Sequence, residues 1–133
     1  MRYAGFGLLA LLLCGAGALL LIGRNQASTE AGYRQISMQE AAAEMQQPDV
    51  LLVDVRTPEE YAAGHIPGAI NLPNETIGTE PPAQLPDKAQ TVLVYCRSGN
   101  RSKDAARKLA GQGYTGIVEI GGIRDWTGEL STD

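Results

Sequence analysis

The segment from Thr91 to Gln112 constrains the fold of this chain more than any other part of it. Thr91, Val92, Leu93, Val94 and Tyr95 form a β-branched, apolar run of the kind that is buried on both faces of a parallel sheet. Residues 101–112 follow with helical spacing, Ala105 pairing with Leu109 and Ala106 with Ala110. Strand, tight loop and helix in that order put the loop at a helix N-terminus, where the first amides lack partners and favour a negative atom. Cys96 lies in that loop. Helix N-termini and nearby cations lower a cysteine pKa, and Arg97, Arg101 and Lys103 bring positive charge close by. Cys96 is therefore expected to act as a nucleophile at neutral pH. The plainer reading of a cysteine is a small buried filler. A filler, however, needs neither Gly99 three residues on nor two arginines flanking the turn.

The rest of the chain alternates strand and helix. Residues 33–36 read as a short first strand, and Ser37 to Glu40 as a capping box opening a helix that runs to Met45. Residues 50–55 are a second strand, apolar on both faces until Asp54. Thr57, Pro58 and Glu60 open a brief helix that ends near Gly64. A turn at residues 64–68, a strand at 69–72 and a proline-rich stretch at 73–86 with one helical turn come next. After the helix at 101–112, residues 116–120 are a last strand, and a short helical segment holds Trp126. Such alternation implies a parallel sheet covered by helices on both faces.

Reactive groups in an open parallel sheet gather beyond the carboxyl ends of the strands. Two ends are chemically marked, Asp54 to Arg56 and Cys96 to Arg97, and they are expected to face one crevice. Arg56 either helps hold an anionic substrate or braces the loop against Asp54, and Asp54 reads as a brace. The lone His65 sits in a glycine- and proline-bounded turn, where an imidazole more often satisfies backbone groups than serves catalysis. No second histidine or cysteine cluster follows residue 24 to build a zinc site, and no cofactor is implied.

With 133 residues, 44% of them hydrophobic, the chain suffices for one globular domain. Its net charge of -4 disfavours a nucleic-acid partner, and the basic residues cluster at the Cys96 loop, which suits a small anion. Arg107 and Lys108 read as a solvated helix face. Residues 3–22 carry no charge and are long enough to span a bilayer. Residues 1–23 are thus expected to be a signal peptide or a membrane anchor, with the anchor preferred because small-x-small cleavage sites are indistinct. Residues 24–34 read as a linker and 35–130 as the domain, placed outside the inner membrane or released to the periplasm. The only other cysteine, Cys14, falls in the apolar segment, so Cys96 is expected to be a free thiol or a site of intermolecular exchange.

Four motifs then carry a resemblance. Asp54 to Tyr61 (DVRTPEEY), Gly64 to Pro73 (GHIPGAINLP), Val94 to Ser102 (VYCRSGNRS), and Gly121-Gly122 with Trp126 occur in an order that resembles a single-domain rhodanese. The resemblance implies an α/β fold with a central five-stranded parallel sheet and a persulfide-forming cysteine after the fourth strand. It assigns the nucleophile to Cys96 and the cradle of the outer sulfur to Arg97, Ser98, Gly99, Asn100 and Arg101. The implied reaction moves sulfane sulfur from thiosulfate or a related donor to cyanide, a thiol or a protein acceptor, with no metal or organic cofactor. A cysteine phosphatase or arsenate reductase would need an arginine six positions after the cysteine, where this chain has Ser102. A partner-binding module of the same fold typically lacks the cysteine, which this chain retains.

Overall fold

The computed structural model describes residues 32–133, and the apolar segment at 3–22 lies outside the described residues. Five strands form one parallel sheet: β1 (Arg34–Gln35), β2 (Val50–Asp54), β3 (Ile70–Asn71), β4 (Thr91–Cys96) and β5 (Ile117–Gly122), ordered β1-β5-β4-β2-β3. The helices are α1 (Met38–Glu44), α2 (Pro58–Ala63) and α3 (Asn100–Gly111). Short 3-10 turns occupy Asn74–Thr76 and Ile123–Asp125. Among the described residues no helix is long and apolar enough to cross a membrane.

The central position of β4 follows from its side chains. Val92, Leu93, Val94 and Tyr95 are all fully buried, so either face of the strand finds an apolar partner. On one face Val92, Val94 and Cys96 pack with Val53, Val55, Ala105, Ala106 and Leu109, beneath α3. On the other, Leu93 and Tyr95 pack with Leu52, Val118, Ile120, Met38 and Ala41, beneath α1 and α2. Full burial of one such side chain contributes about 1.5–3 kcal/mol.

The helix starts were legible, with one difference. At Thr57 the capping box is complete: the hydroxyl accepts from Glu60 N at 3.2 Å and Glu60 Oε1 accepts from Thr57 N at 3.3 Å. At Ser37 only half of the expected box forms. The hydroxyl accepts from Glu40 N, but Glu40 Oε1 lies 3.1 Å from that hydroxyl and not on the Ser37 amide. Lys108 is also more than a solvated charge. Its Nζ donates to the Asn74 carbonyl and to Asn74 Oδ1, both at 3.1 Å, tying α3 to the turn at Asn74–Thr76. Arg107 remains exposed, 3.7 Å from Asp104.

The last strand runs two residues past the expected Ile120, and its pairing matters for the site. Val94 faces Glu119 and Cys96 faces Gly122, so β5 carries one residue more than β4 over this interval. Such a bulge re-aims the side chains beside it. It also brings Gly122 against the carbonyl of Arg97, where any Cβ would collide with backbone.

Candidate active site

Asp54 and Cys96 end neighbouring parallel strands, with Asp54 level with Tyr95, so the two marked ends open on the same side of the sheet. The Cys96 loop is short. Gly99 adopts φ 107°, a left-handed conformation that an L side chain resists, and α3 begins at Asn100. This turn folds the Gly99 amide back onto Cys96 Sγ at 3.0 Å.

Cys96 is 1% exposed. Burial pushes its thiol pKa up, but the Ser102 hydroxyl and the amides of Ser102, Gly99 and Ser98 more than offset this and hold it below the ordinary value. The amides expected at the helix start act on the sulfur, and a hydroxyl the sequence did not point to joins them. Arg101, expected to act on the sulfur, forms a two-pronged ion pair with Glu60, Nη1 to Oε1 at 2.6 Å and Nη2 to Oε2 at 3.0 Å. Backbone amides and one hydroxyl touch the sulfur directly, while Arg101 acts on it through charge and not through contact. Glu60 is drawn down to about 2 by the hydrogen bond from Arg101, against the opposing effect of burial and with help from Thr57.

Arg56 is 6% exposed and held at the other strand end. Its Nε and Nη2 donate to Asp54 at 3.0 and 2.7 Å, and Nη2 also donates to the Gly64 carbonyl at 2.7 Å. Burial opposes its charge, yet the hydrogen bond and ion pair with Asp54 raise its pKa further. Asp54 is the loop brace the sequence suggested. His65 turns out to serve the backbone: Nδ1 lies 2.8 Å from the Tyr61 carbonyl, and the ring stacks on Tyr61 at 3.7 Å. The sulfur's side-chain partner is Ser102, not an imidazole.

A hollow of about 400 Å³ opens beside the loop, walled by Arg56, Glu60, Ala63, Gly64, Arg97, Ile123 and Leu130. Arg97 and Arg56 give it positive charge, while Ile123 and the 56% exposed Leu130 give it an apolar side. Ser98 and Asn100 complete the turn around the sulfur.

Residues 37–129 match the family described as the rhodanese-like domain. The chain belongs to the rhodanese-like family. Relatives of this family place it further. The thiosulfate sulfurtransferase PspE of Escherichia coli (strain K12) is 41% identical over 73 residues, covering 55% of this chain and 70% of that protein. A solved rhodanese with anions from E. coli is 36% identical at a TM-score of 0.58, covering 63% of this chain and 99% of its own. The human single-domain sulfurtransferase TSTD1 is 30% identical at a TM-score of 0.62, covering 69% and 93%. The rhodanese-like fold expected from the four motifs, five parallel strands with helices on both faces, is the fold observed.

Two residues of the site escaped the sequence reading. Ser102 has no part in the sequence analysis beyond closing the third motif and standing where a phosphatase needs an arginine, yet its Oγ lies 3.4 Å from Cys96 Sγ. Glu119 was read only as part of a strand, yet it is 3% exposed and 2.6 Å from Ser102 Oγ. The available signal was a carboxylate interrupting the apolar run Ile117, Val118 and Ile120.

Proposed function

We propose that the protein is a thiosulfate sulfurtransferase that works through a Cys96 persulfide. The observation that carries this reading is a buried sulfur held by the Gly99 amide at 3.0 Å, with a thiol pKa lowered by Ser102 and the loop amides. The Cys96 thiolate attacks the sulfane sulfur of thiosulfate, a sulfur–sulfur bond forms to Sγ, and the bond to the sulfonate sulfur breaks as sulfite leaves with its electron pair. A thiol, cyanide or a protein thiol then takes the outer sulfur and returns the thiolate. This is a two-step transfer through a covalent intermediate.

Each loop residue has a part. Arg97, Ser98, Gly99, Asn100 and Arg101 cradle the outer sulfur, their amides stabilising the anionic persulfide as an oxyanion hole stabilises oxygen. Arg97 at the rim, with Arg56 behind it, attracts the anionic donor. Arg101, paired with Glu60, contributes mainly by fixing α3 against α2. That same pairing weakens a phosphatase reading, which calls for an arginine facing the bound anion. We place the domain at residues 35–130 outside the inner membrane, with residues 1–23 as its anchor or signal and 24–34 as the linker.

The test is thiocyanate formation from thiosulfate and cyanide by the purified full chain, alongside Cys96→Ser and with intact mass to detect one added sulfur. Turnover and the sulfur adduct are expected in the natural chain and both are expected to vanish in the variant. A folded, reduced protein with neither would overturn the reading.

A further inference from the structure

The Ser102 hydroxyl has one proton and more acceptors than it can serve. Glu119 Oε1 lies at 2.6 Å, the Gly99 carbonyl at 3.0 Å, and Cys96 Sγ and the Gly121 carbonyl each at 3.4 Å. The shortest contact is to the carboxylate, and a hydrogen bond to an ionised acceptor is about twice as strong as a neutral one. With its proton on Glu119, Ser102 turns a lone pair toward the sulfur. A thiol can donate to that lone pair, whereas a thiolate gains the hydroxyl's hydrogen bond only when the proton leaves Glu119.

Glu119 is held in place to compete in this way. Its Oε1 also accepts from Gly121 N at 2.8 Å and its Oε2 from Gln35 Nε2 at 3.3 Å. The bulge of β5 aims it under the first turn of α3, on the face where Cys96, Ala105 and Ala106 pack. A carboxylate buried there has no packing role that an apolar side chain would not fill better.

We propose that Glu119 is a positioning residue which, through Ser102, draws a hydrogen bond away from the Cys96 thiolate and so limits how readily that cysteine ionises. The hydroxyl moves between two acceptors, sulfur when Cys96 is a thiolate and Glu119 when Sγ carries no charge. Given the sulfurtransferase reading above, the persulfide moves the charge to the outer sulfur and lets Ser102 return to Glu119, so the carboxylate favours the loaded enzyme over the free thiolate.

The experiment is the pH profile of Cys96 alkylation by iodoacetamide, which needs no sulfur donor and stays readable even if sulfur transfer fails. Glu119→Gln keeps the shape and removes the charge. Its profile is expected to shift to lower pH, with alkylation about threefold faster or more below the natural midpoint. Ser102→Ala is expected to shift the profile up. In the Ser102→Ala background the effect of Glu119→Gln should shrink by at least about half, because the hydroxyl that carries it is gone. The other charged or titratable groups on the elements packed around the sulfur stay in place in every variant: Arg97 on the loop, Arg101 and Lys103 on α3, Asp54 at the end of β2 and Arg56 after it, Glu60 on α2, His65 in the following turn and Arg124 after β5. An unshifted or raised profile in folded Glu119→Gln overturns the proposal, and so does an undiminished shift in the Ser102→Ala background. Should Glu119→Gln not fold, the natural chain labelled with ¹³C at its glutamate carboxyls supplies the test. The Glu119 resonance is expected to inflect at the pH where Cys96 ionises and to lose that inflection in Cys96→Ser; no inflection in the natural chain overturns the proposal.

Discussion

The ends of β2 and β4 are adjacent, parallel and chemically marked, yet they are built for different work. At β2 the charges satisfy one another: Asp54 holds Arg56 through its amide, Nε and Nη2, and the guanidinium's remaining reach goes to the Gly64 carbonyl. At β4 a sulfur accepts from the Gly99 amide and lies 3.4 Å from the Ser102 hydroxyl. At the first end the opposite charges are matched within the chain, and Arg56 meets a donor only as a wall of the hollow. The second can accept an added negative charge, because amides point at the sulfur and no anion of its own neutralises them. Two strand ends of similar burial thus become a brace and a reaction site according to whether the local partners are complete.

The most severe break of this contrast is at the brace. Asp54→Ala leaves the Arg56 guanidinium buried without its partner, and a loss of about 3–5 kcal/mol is expected in urea unfolding. Replacing both Asp54 and Arg56 with leucine is expected to cost much less, because no unpaired charge remains. If the double variant is as unstable as the single one, the pair is not what holds this loop.

A smaller change sharpens the β4 side. Gly99→Ala meets no close atom, only its backbone angle of φ 107°, so about 1–2 kcal/mol of stability should be lost. As the turn relaxes, its amide moves off Sγ, and Cys96 alkylation at neutral pH should slow. Unchanged alkylation would mean that the Gly99 amide does not support the thiolate.

The smallest effect is expected where the two ends are linked. Glu60→Gln removes the ion pair with Arg101 and should cost about 0.5–1 kcal/mol, since both side chains are about one-third exposed. The sign in pH follows from Glu60 being lowered from 4.5 to about 2 when folded. Its contribution is complete above the unfolded value and is lost as pH falls through the folded one. The stability gap between natural chain and variant should therefore close between about pH 4.5 and pH 2 in acid titrations of stability. A gap that persists unchanged at pH 2 would remove Glu60 from the linkage.

The sequence by itself determined the alternation of strands and helices, the buried central strand at 91–95, the Thr57 cap and the position of Cys96 before a helix. These are local matters, fixed by periodicity, capping chemistry and the conformational freedom of glycine. It also left Arg56 between two roles, because whether a guanidinium is free depends on which carboxylate the fold places beside it. Tertiary structure alone decided that Arg101 turns to Glu60, forty-one positions away, and that Ser102 and Glu119, seventeen apart, meet behind the sulfur. The bulge of β5 against β4 cannot be read from either strand alone, since register is a property of the pair. A cysteine's place in the chain announces that chemistry is available there, whereas the groups that tune its charge come from elements that only packing brings together.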